Sequence, residues 1–224
     1  MNNTISLYDD RKSEIDFYYS IMQEIETGEL KIRAVDNSKF LRISKSNFLL
    51  MLYNMVEACV ISGMMEIYEN LKMNAHSYSD LINELRVIWS NHEIRKVFSS
   101  QTGRKSYENR IQEIINQVIS NQPIILHREV LGIGGNFDAK KIKDLCDKHR
   151  IRYIASDKDG CLRTVKDMRN NLAHGDESFG NCARDMTLSD LEHIKNEVCI
   201  FLNGILVGMK NYYDGKQYLS KATL

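Results

Sequence analysis

Apolar residues recur along most of this chain at the three- and four-residue spacing that places them on one face of an α-helix. The first such stretch runs from Ser6 to about Glu26, and Thr27 and Gly28 then offer a stop. The second begins near Ser46 and reaches Leu71, with apolar positions on more than one side. So wide an apolar surface predicts a central helix packed against several others.

Two short polar sequences are typical of helix starts. Residues 77–80 (SYSD) and 187–190 (TLSD) have the form of capping boxes, in which a hydroxyl and a carboxylate satisfy free amides of a first helical turn. We expect the first box to open a helix that runs to about Phe98. The second should open the last helix of the chain, whose apolar positions continue to Leu206.

The region between the two boxes contains shorter elements. Residues 99–106 are typical of a polar loop, and Ser106 should open a helix that ends before Pro123. Residues 123–135 (PIILHREVLGIGG) favour a strand or irregular structure. A short helix over residues 139–150, a linking segment over residues 151–160 and a helix that ends at residue 175 then follow. The cap of the short helix is either Asn136 or Asp138.

The composition agrees with a chain built from helices. It has one proline and twelve glycines among 224 residues, and this scarcity favours long helices because both residue types weaken helix interiors. We therefore predict an all-α fold, a helical bundle with long core helices and a short irregular middle segment. A single domain over residues 1–224 would contain it.

The bulk numbers also limit the cellular setting. No apolar run approaches the roughly 20 residues needed to span a bilayer, and the start of the chain lacks an apolar signal region, so we expect a cytoplasmic protein without a membrane partner. Five cysteines without a C-x-x-C pair indicate free, mostly buried thiols. The 30 basic and 30 acidic residues cancel, which argues against non-specific coating of nucleic acid but allows a local basic cleft.

Three weak motifs do not predict a cofactor or a metal. GIGGN (132–136) lacks the lysine and hydroxyl of a nucleotide-binding loop. If residues 157–160 (DKDG) began a calcium-binding loop, its glutamate ligand would fall at position 168, which is Met168. The six histidines include no H-E-x-x-H sequence and no pair four residues apart. We therefore expect neither a bound cofactor nor a metal site.

The segment RNNLAHG (169–175) is the one concentrated chemical signal. Asn170 and His174 are four residues apart, so they share a helix face and Asn170 could orient the imidazole. Arg169 and His174 point about 140° apart on one helix, but two copies of the helix meeting at a two-fold axis would bring them together. The spacing also fits a purely structural helix end, closed by Gly175, with a solvated arginine.

A paired arginine and histidine suit metal-free cleavage of RNA. That reaction must remove the proton of a ribose 2′-hydroxyl and protonate the leaving 5′-oxygen, which a histidine can do near neutral pH. It must also stabilise the added negative charge on the phosphorus oxygens, which an arginine does well. DNA, which lacks the 2′-hydroxyl, would be spared.

The sequence resembles a known superfamily through three stretches: GGNFDAKKIKDLCDKHRI, VKDMRNNLAHGDESF and TLSDLEHIKNEVCIFLNGIL. An arginine, a polar residue, three more residues and then a histidine at the end of a helix are the signature of the HEPN superfamily. Over residues 130–207 the chain is similar to the bacterial MAE-type HEPN-like nucleases. Ser178, Phe179 and Arg184 match the surroundings of that motif without an assigned role.

The resemblance implies a HEPN-like fold and a metal-independent endoribonuclease that acts as a homodimer with a composite site. It implies that Arg169 binds phosphate, that His174 is catalytic, and that Asn170 is the polar residue after the arginine. It also implies a toxin or antiphage defence effector, with an antitoxin or defence-system protein as a possible partner. The alternative is a non-catalytic HEPN module that binds a nucleotide or another protein.

Overall fold

The computed structural model describes residues 1–33, 36–99, 104–132, 136–157 and 159–220 of the chain. Within them lie eight α-helices and two short 3₁₀-helices and no strand longer than an isolated bridge. The α-helices are α1 (Asn2–Thr27), α2 (Asn37–Met73), α3 (Asn83–Ser99), α4 (Arg104–Ile119), α5 (Ala139–Lys148), α6 (Cys161–His174), α7 (Phe179–Cys182) and α8 (Leu188–Asp214). The all-α prediction is confirmed.

Helix α2 is the centre of the bundle. It contacts α1, α6, α7 and α8, while α3 contacts α4. Its side chains Phe48, Leu49, Leu52 and Met55 are fully buried, as the wide apolar surface predicted. Met64 is also fully buried and Met65 packs against the core.

The first two helices begin earlier than their apolar patterns. Helix α2 begins at Asn37 rather than near Ser46, because the Asp36 carboxylate accepts hydrogen bonds from the amides of Ser38 and Lys39 and so caps the helix. Helix α1 begins at Asn2, where the amide of Thr4 donates to Glu66 of α2. Its predicted end is confirmed, since Gly28 has the left-handed backbone that closes a helix.

The length and apolarity of α2 correct one expectation. Within the described residues, it is the one helix long and apolar enough to cross a membrane by length and composition, with a mean hydropathy of 1.6 over its most apolar window. The statement that no run approaches this threshold is therefore wrong. However, 56% of that window is buried inside the protein, as in the core helix of a globular fold.

The two capping boxes behave differently. Thr187 and Asp190 cap α8 reciprocally, as predicted, with the Asp190 amide donating to Thr187 Oγ1 at 3.1 Å. The box of Ser77 and Asp80 is also present, but it caps the 3₁₀-helix Tyr78–Asp80, and α3 starts only at Asn83. The expected helix start at this box is therefore wrong.

The middle of the chain is irregular, as expected. An isolated bridge joins Pro123 to Ser77, and the 3₁₀-helix Arg128–Leu131 follows. Helix α4 starts at Arg104, two residues before the predicted Ser106, so Ser99 and residues 104–106 of the predicted polar loop are helical. Residues 100–103 of that loop, and residues 133–135 of the GIGGN segment, lie outside the described residues. The cap of α5 is Asp138, whose carboxylate accepts from the Lys141 amide.

Two glycines of α8 let the segment before α6 cross that helix closely. A Cβ atom on Gly204 would overlap the carbonyl oxygen of Ile154, and one on Gly208 would overlap that of Arg152. Beyond this crossing, His193 Nε2 of α8 lies 3.1 Å from an Asp159 carboxylate oxygen. The crossing thus fixes where α6 begins, and with it the position of residues 169–175.

Candidate functional site

Helix α6 carries the segment singled out by the sequence. Its first half is anchored by the buried side chains Cys161, Leu162 and Val165. It ends at His174, and Gly175 adopts the predicted left-handed backbone, with φ 76°. Its second half is only partly buried, so the polar side chains of RNNLAHG border solvent.

Arg169 is held on two sides. Its guanidinium carbon lies 4.9 Å from the centre of the Tyr53 ring of α2, a cation–π contact, and its Nη1 donates to Asn170 Oδ1 at 3.1 Å. The guanidinium has five N–H donors, so these contacts leave most of them available to a bound anion. The Arg169 side chain is therefore held in one orientation while most of its N–H donors remain free to bind a ligand.

Tyr53 contacts the candidate site, and the sequence did not identify it. Its side chain is buried, and its hydroxyl accepts from the Phe137 amide at 3.1 Å and hydrogen-bonds to the Glu57 carboxylate. Burial and Glu57 raise the pKa of Tyr53, while the Phe137 amide and Arg169 lower it, with a net rise that keeps the phenol neutral. A buried tyrosine needs a partner for its hydroxyl, but no local pattern says that its ring meets an arginine more than a hundred residues later.

Asn170 and His174 are not joined in the way the spacing suggested. The Asn170 carboxamide contacts Arg169, and in the described part of the chain no hydrogen bond reaches the imidazole of His174. His174 is exposed in the last turn of α6. Helix geometry places it about 7.5 Å along the axis and about 140° around it from Arg169. One chain therefore does not bring the two side chains to a common point.

Neighbouring elements fix α6 in place. Lys166 Nζ lies 3.3 Å from the carboxylate of Asp138, the cap of α5. Although burial raises the pKa of Asp138, hydrogen bonds from the Lys141 amide and Lys166 lower it to below its usual value. On the other side, the buried Ser46 hydroxyl donates to the Phe179 carbonyl and accepts from the Ala183 amide, which ties α7 to α2.

Comparison with known proteins decides the family. A protein-family model described as HEPN_MAE_28990-like HEPN matches residues 3–218. The chain belongs to this HEPN family. Neither the curated proteins nor the solved structures compared with it include a match.

The HEPN match covers more of the chain than the three stretches that suggested it. It includes α1 and α2, which lie outside those stretches, and so it includes Tyr53 as well as Arg169. Membership of this family indicates a nuclease-like or nucleotide-binding module.

The other HEPN-like residues of the resemblance lie near the end of α6. Ser178 precedes α7, and Phe179, its first residue, is 38% exposed. Arg184 is exposed and pairs with Asp185 at 3.3 Å.

Among the described residues of this HEPN chain, no group of three or more histidine, cysteine, aspartate or glutamate side chains is arranged to hold a metal ion. All five cysteines are free and buried, as the sequence predicted.

Proposed function

We propose that this HEPN protein is a metal-independent endoribonuclease that acts as a homodimer. The observation that carries the proposal is that the end of one helix carries both an oriented guanidinium group and a solvent-exposed imidazole. Arg169 is held by Tyr53 and Asn170, and His174 is exposed in the last turn of the same helix. These are the two chemical groups that RNA cleavage by its own 2′-hydroxyl requires.

The reaction requires two proton transfers, one from the 2′-hydroxyl and one to the 5′-oxygen. A base removes the 2′-hydroxyl proton, and the 2′-oxygen attacks the adjacent phosphorus to form a five-coordinate phosphorane. Arg169 stabilises the added negative charge with its forked donors. The 5′-oxygen then leaves with a proton from an acid. The products are a 2′,3′-cyclic phosphate and a 5′-hydroxyl, and His174 supplies one of the two proton transfers.

The dimer is required because Arg169 and His174 diverge on a single helix. An isologous contact would place the end of one α6 opposite the end of its mate. The composite groove would then hold the Arg169, Asn170 and His174 side chains of both chains. In this arrangement Asn170 serves to orient Arg169, consistent with the hydrogen bond between them.

The experiment is cleavage of single-stranded RNA by the purified protein in the presence of a metal chelator. We expect cutting to persist and to yield fragments with 2′,3′-cyclic phosphate ends. His174→Ala and Arg169→Ala should each lower the rate by about a hundredfold or more, the usual scale for losing an acid–base group or a charge-stabilising donor. His127→Ala removes another exposed histidine, in the middle segment of the chain, and should leave the rate unchanged.

Two results would reject the proposal: cutting that disappears with the chelator, or cutting that His174→Ala leaves intact.

As a toxin or defence effector, the protein should also arrest growth when expressed. Arg169→Ala should relieve that arrest. A protein partner that restrains it, an antitoxin or another component of a defence system, would relieve the arrest when co-expressed.

A further inference from the structure

A polar cleft lies at the end of α2 that is remote from Arg169. It has a volume of about 510 Å³ and opens between the start of α3, the segment after α5 and the end of the described chain. Tyr218, next to two of its lining residues, bonds through its hydroxyl to Asn70. Since Tyr53 and Asn70 are about 25 Å apart along α2, the cleft is distinct from the site around Arg169.

Arg150 on the cleft wall has an unusual backbone. It follows α5 at the position where glycine normally closes a helix, with its amide bonded to the Asp147 carbonyl and the next amide to that of Cys146. Its φ is 60°, a left-handed conformation that costs a non-glycine residue free energy. The side chain is 63% exposed, and its nearest carboxylate oxygen, on Glu84, is 3.7 Å away. An arginine is thus present where the backbone favours glycine.

Arg152 lies on the same wall. It is two residues further along the chain, and its side chain lines the cleft together with that of Arg150. It is exposed, and it forms no ion pair within the part of the chain that the structure describes. The close approach of its carbonyl to Gly208 of α8 fixes the backbone beneath it.

Arg86 supplies a third, immobilised cation. Its Nε donates to the Tyr78 carbonyl at 2.9 Å and its Nη2 to the Ser79 carbonyl at 2.6 Å, so it is fixed in α3. Asn83, the first residue of α3, also lines the cleft, and the first turn of a helix is its positive end. Three arginines and one glutamate give the lining a net charge of +2.

We propose that this cleft binds a small organic molecule through a phosphate monoester group. A phosphate monoester carries close to two negative charges at neutral pH and so matches the lining, whereas each diester of an RNA strand carries one. Forked arginine donors bind phosphate with defined geometry. The volume is within the range of small-molecule sites and exceeds what a lone phosphate needs. The proposal does not depend on RNA cleavage by the site around Arg169.

The test is calorimetric titration of the full chain with AMP and GMP as phosphate-monoester probes at physiological salt, beside adenosine, inorganic phosphate and a 5′-hydroxyl RNA oligonucleotide. We expect a mononucleotide to bind more tightly than phosphate and adenosine to show no binding. Arg152→Ala and Arg150→Gly should each weaken binding by about tenfold, as expected for one lost charged hydrogen-bonding partner. Arg42→Ala, which removes an exposed arginine at the far end of α2, should not change it.

Arg150→Gly separates binding from folding. Because glycine adopts a φ of 60° without strain, this variant should melt at a higher temperature than the wild type while it binds the nucleotide more weakly. The proposal is overturned if neither nucleotide binds, if phosphate alone binds as tightly, or if the arginine variants bind like the wild type. It is also overturned if Arg152→Ala weakens RNA binding rather than nucleotide binding. RNA cleavage by these variants should stay at the wild-type rate.

Discussion

The Tyr53 ring and the Tyr53 hydroxyl have separate roles. The ring faces the Arg169 guanidinium, while the hydroxyl bonds to the Phe137 amide and to Glu57. The ring should matter for the reaction because it orients the cation without occupying its donors. The hydroxyl should matter for stability, because its loss leaves a buried amide unpaired.

Substituting Tyr53 tests this division. Tyr53→Leu removes the ring and should lower kcat/KM for RNA by about 5- to 30-fold, the equivalent of a cation–π contact of about 1–2 kcal/mol. Tyr53→Phe keeps the ring, so it should cleave RNA at close to the wild-type rate but melt at a lower temperature. Equal activities for the two variants would show that the ring does not position Arg169.

His149 makes the stability of the fold depend on pH. Its Nδ1 donates to the Leu145 carbonyl and its Nε2 accepts from the Tyr68 hydroxyl at 2.6 Å, an arrangement that needs the neutral ring. Burial lowers the pKa of His149 to about 4, from 6.5. The unfolded chain therefore binds a proton that the folded chain does not between these values, and stability falls as the pH falls through this range.

We expect His149 to cost the protein about 2–3 kcal/mol of unfolding free energy between pH 7 and pH 4. Urea unfolding at a series of pH values measures this loss. His149→Gln should be less stable at pH 7 and should lose less stability on acidification. A wild-type slope unchanged by the substitution would assign the acid sensitivity to other groups.

At the scale of the helices, local chemistry determined which ends could be predicted. Gly28, Asp138, Thr187 and Gly175 each end or begin a helix through their own backbone or side chain, and the sequence signalled each of them. The start of α2 was missed because the polar residues 44–47 separate Phe40, Leu41 and Ile43 of its first turns from the longer apolar pattern.

Long-range contacts explain what the sequence could not predict. The box at Ser77 does not open α3 because Leu81 bridges to Leu219 and the Ile82 amide donates to the Tyr218 carbonyl, so this segment joins the end of the chain instead. The candidate site follows the same rule. The motif residues of α6 were evident, but Tyr53 becomes their neighbour only through the packing of α6 on α2.

The crossing of α8 by the segment before α6 should tolerate no larger residue. Gly204→Ala would place a methyl group against the backbone carbonyl of Ile154, which cannot rotate away as a side chain could. We expect a loss of about 2–3 kcal/mol in unfolding free energy, at the upper end for overpacking. Gly180→Ala is the matched control, because its added Cβ would meet no atom closer than 3.9 Å. Equal stabilities of the two variants would show that the segment shifts freely.

For the whole molecule, zero net charge means that the RNA substrate of the proposed function would have to be attracted locally rather than by the overall field of the protein. A groove shared by two chains would double the cations offered by one α6 end. It would also set Arg169 of one protomer beside His174 of its partner, which the divergence of these residues on one helix requires. The proposed reaction therefore uses an arginine and a histidine from different chains.

Mixing two inactive variants tests that consequence. Arg169→Ala and His174→Ala homodimers should each be inactive, but a mixed dimer retains one Arg169 and one His174 on opposite chains. With random exchange half of the dimers are mixed and each holds one of two complete sets, so activity should recover to about a quarter of the wild-type level. Mixing Arg169→Ala with the Arg169→Ala/His174→Ala double variant provides no arginine and should restore nothing. If co-purification through two different tags proves that mixed dimers form and RNA cleavage still does not return, each chain must use its own pair, and the composite site is wrong.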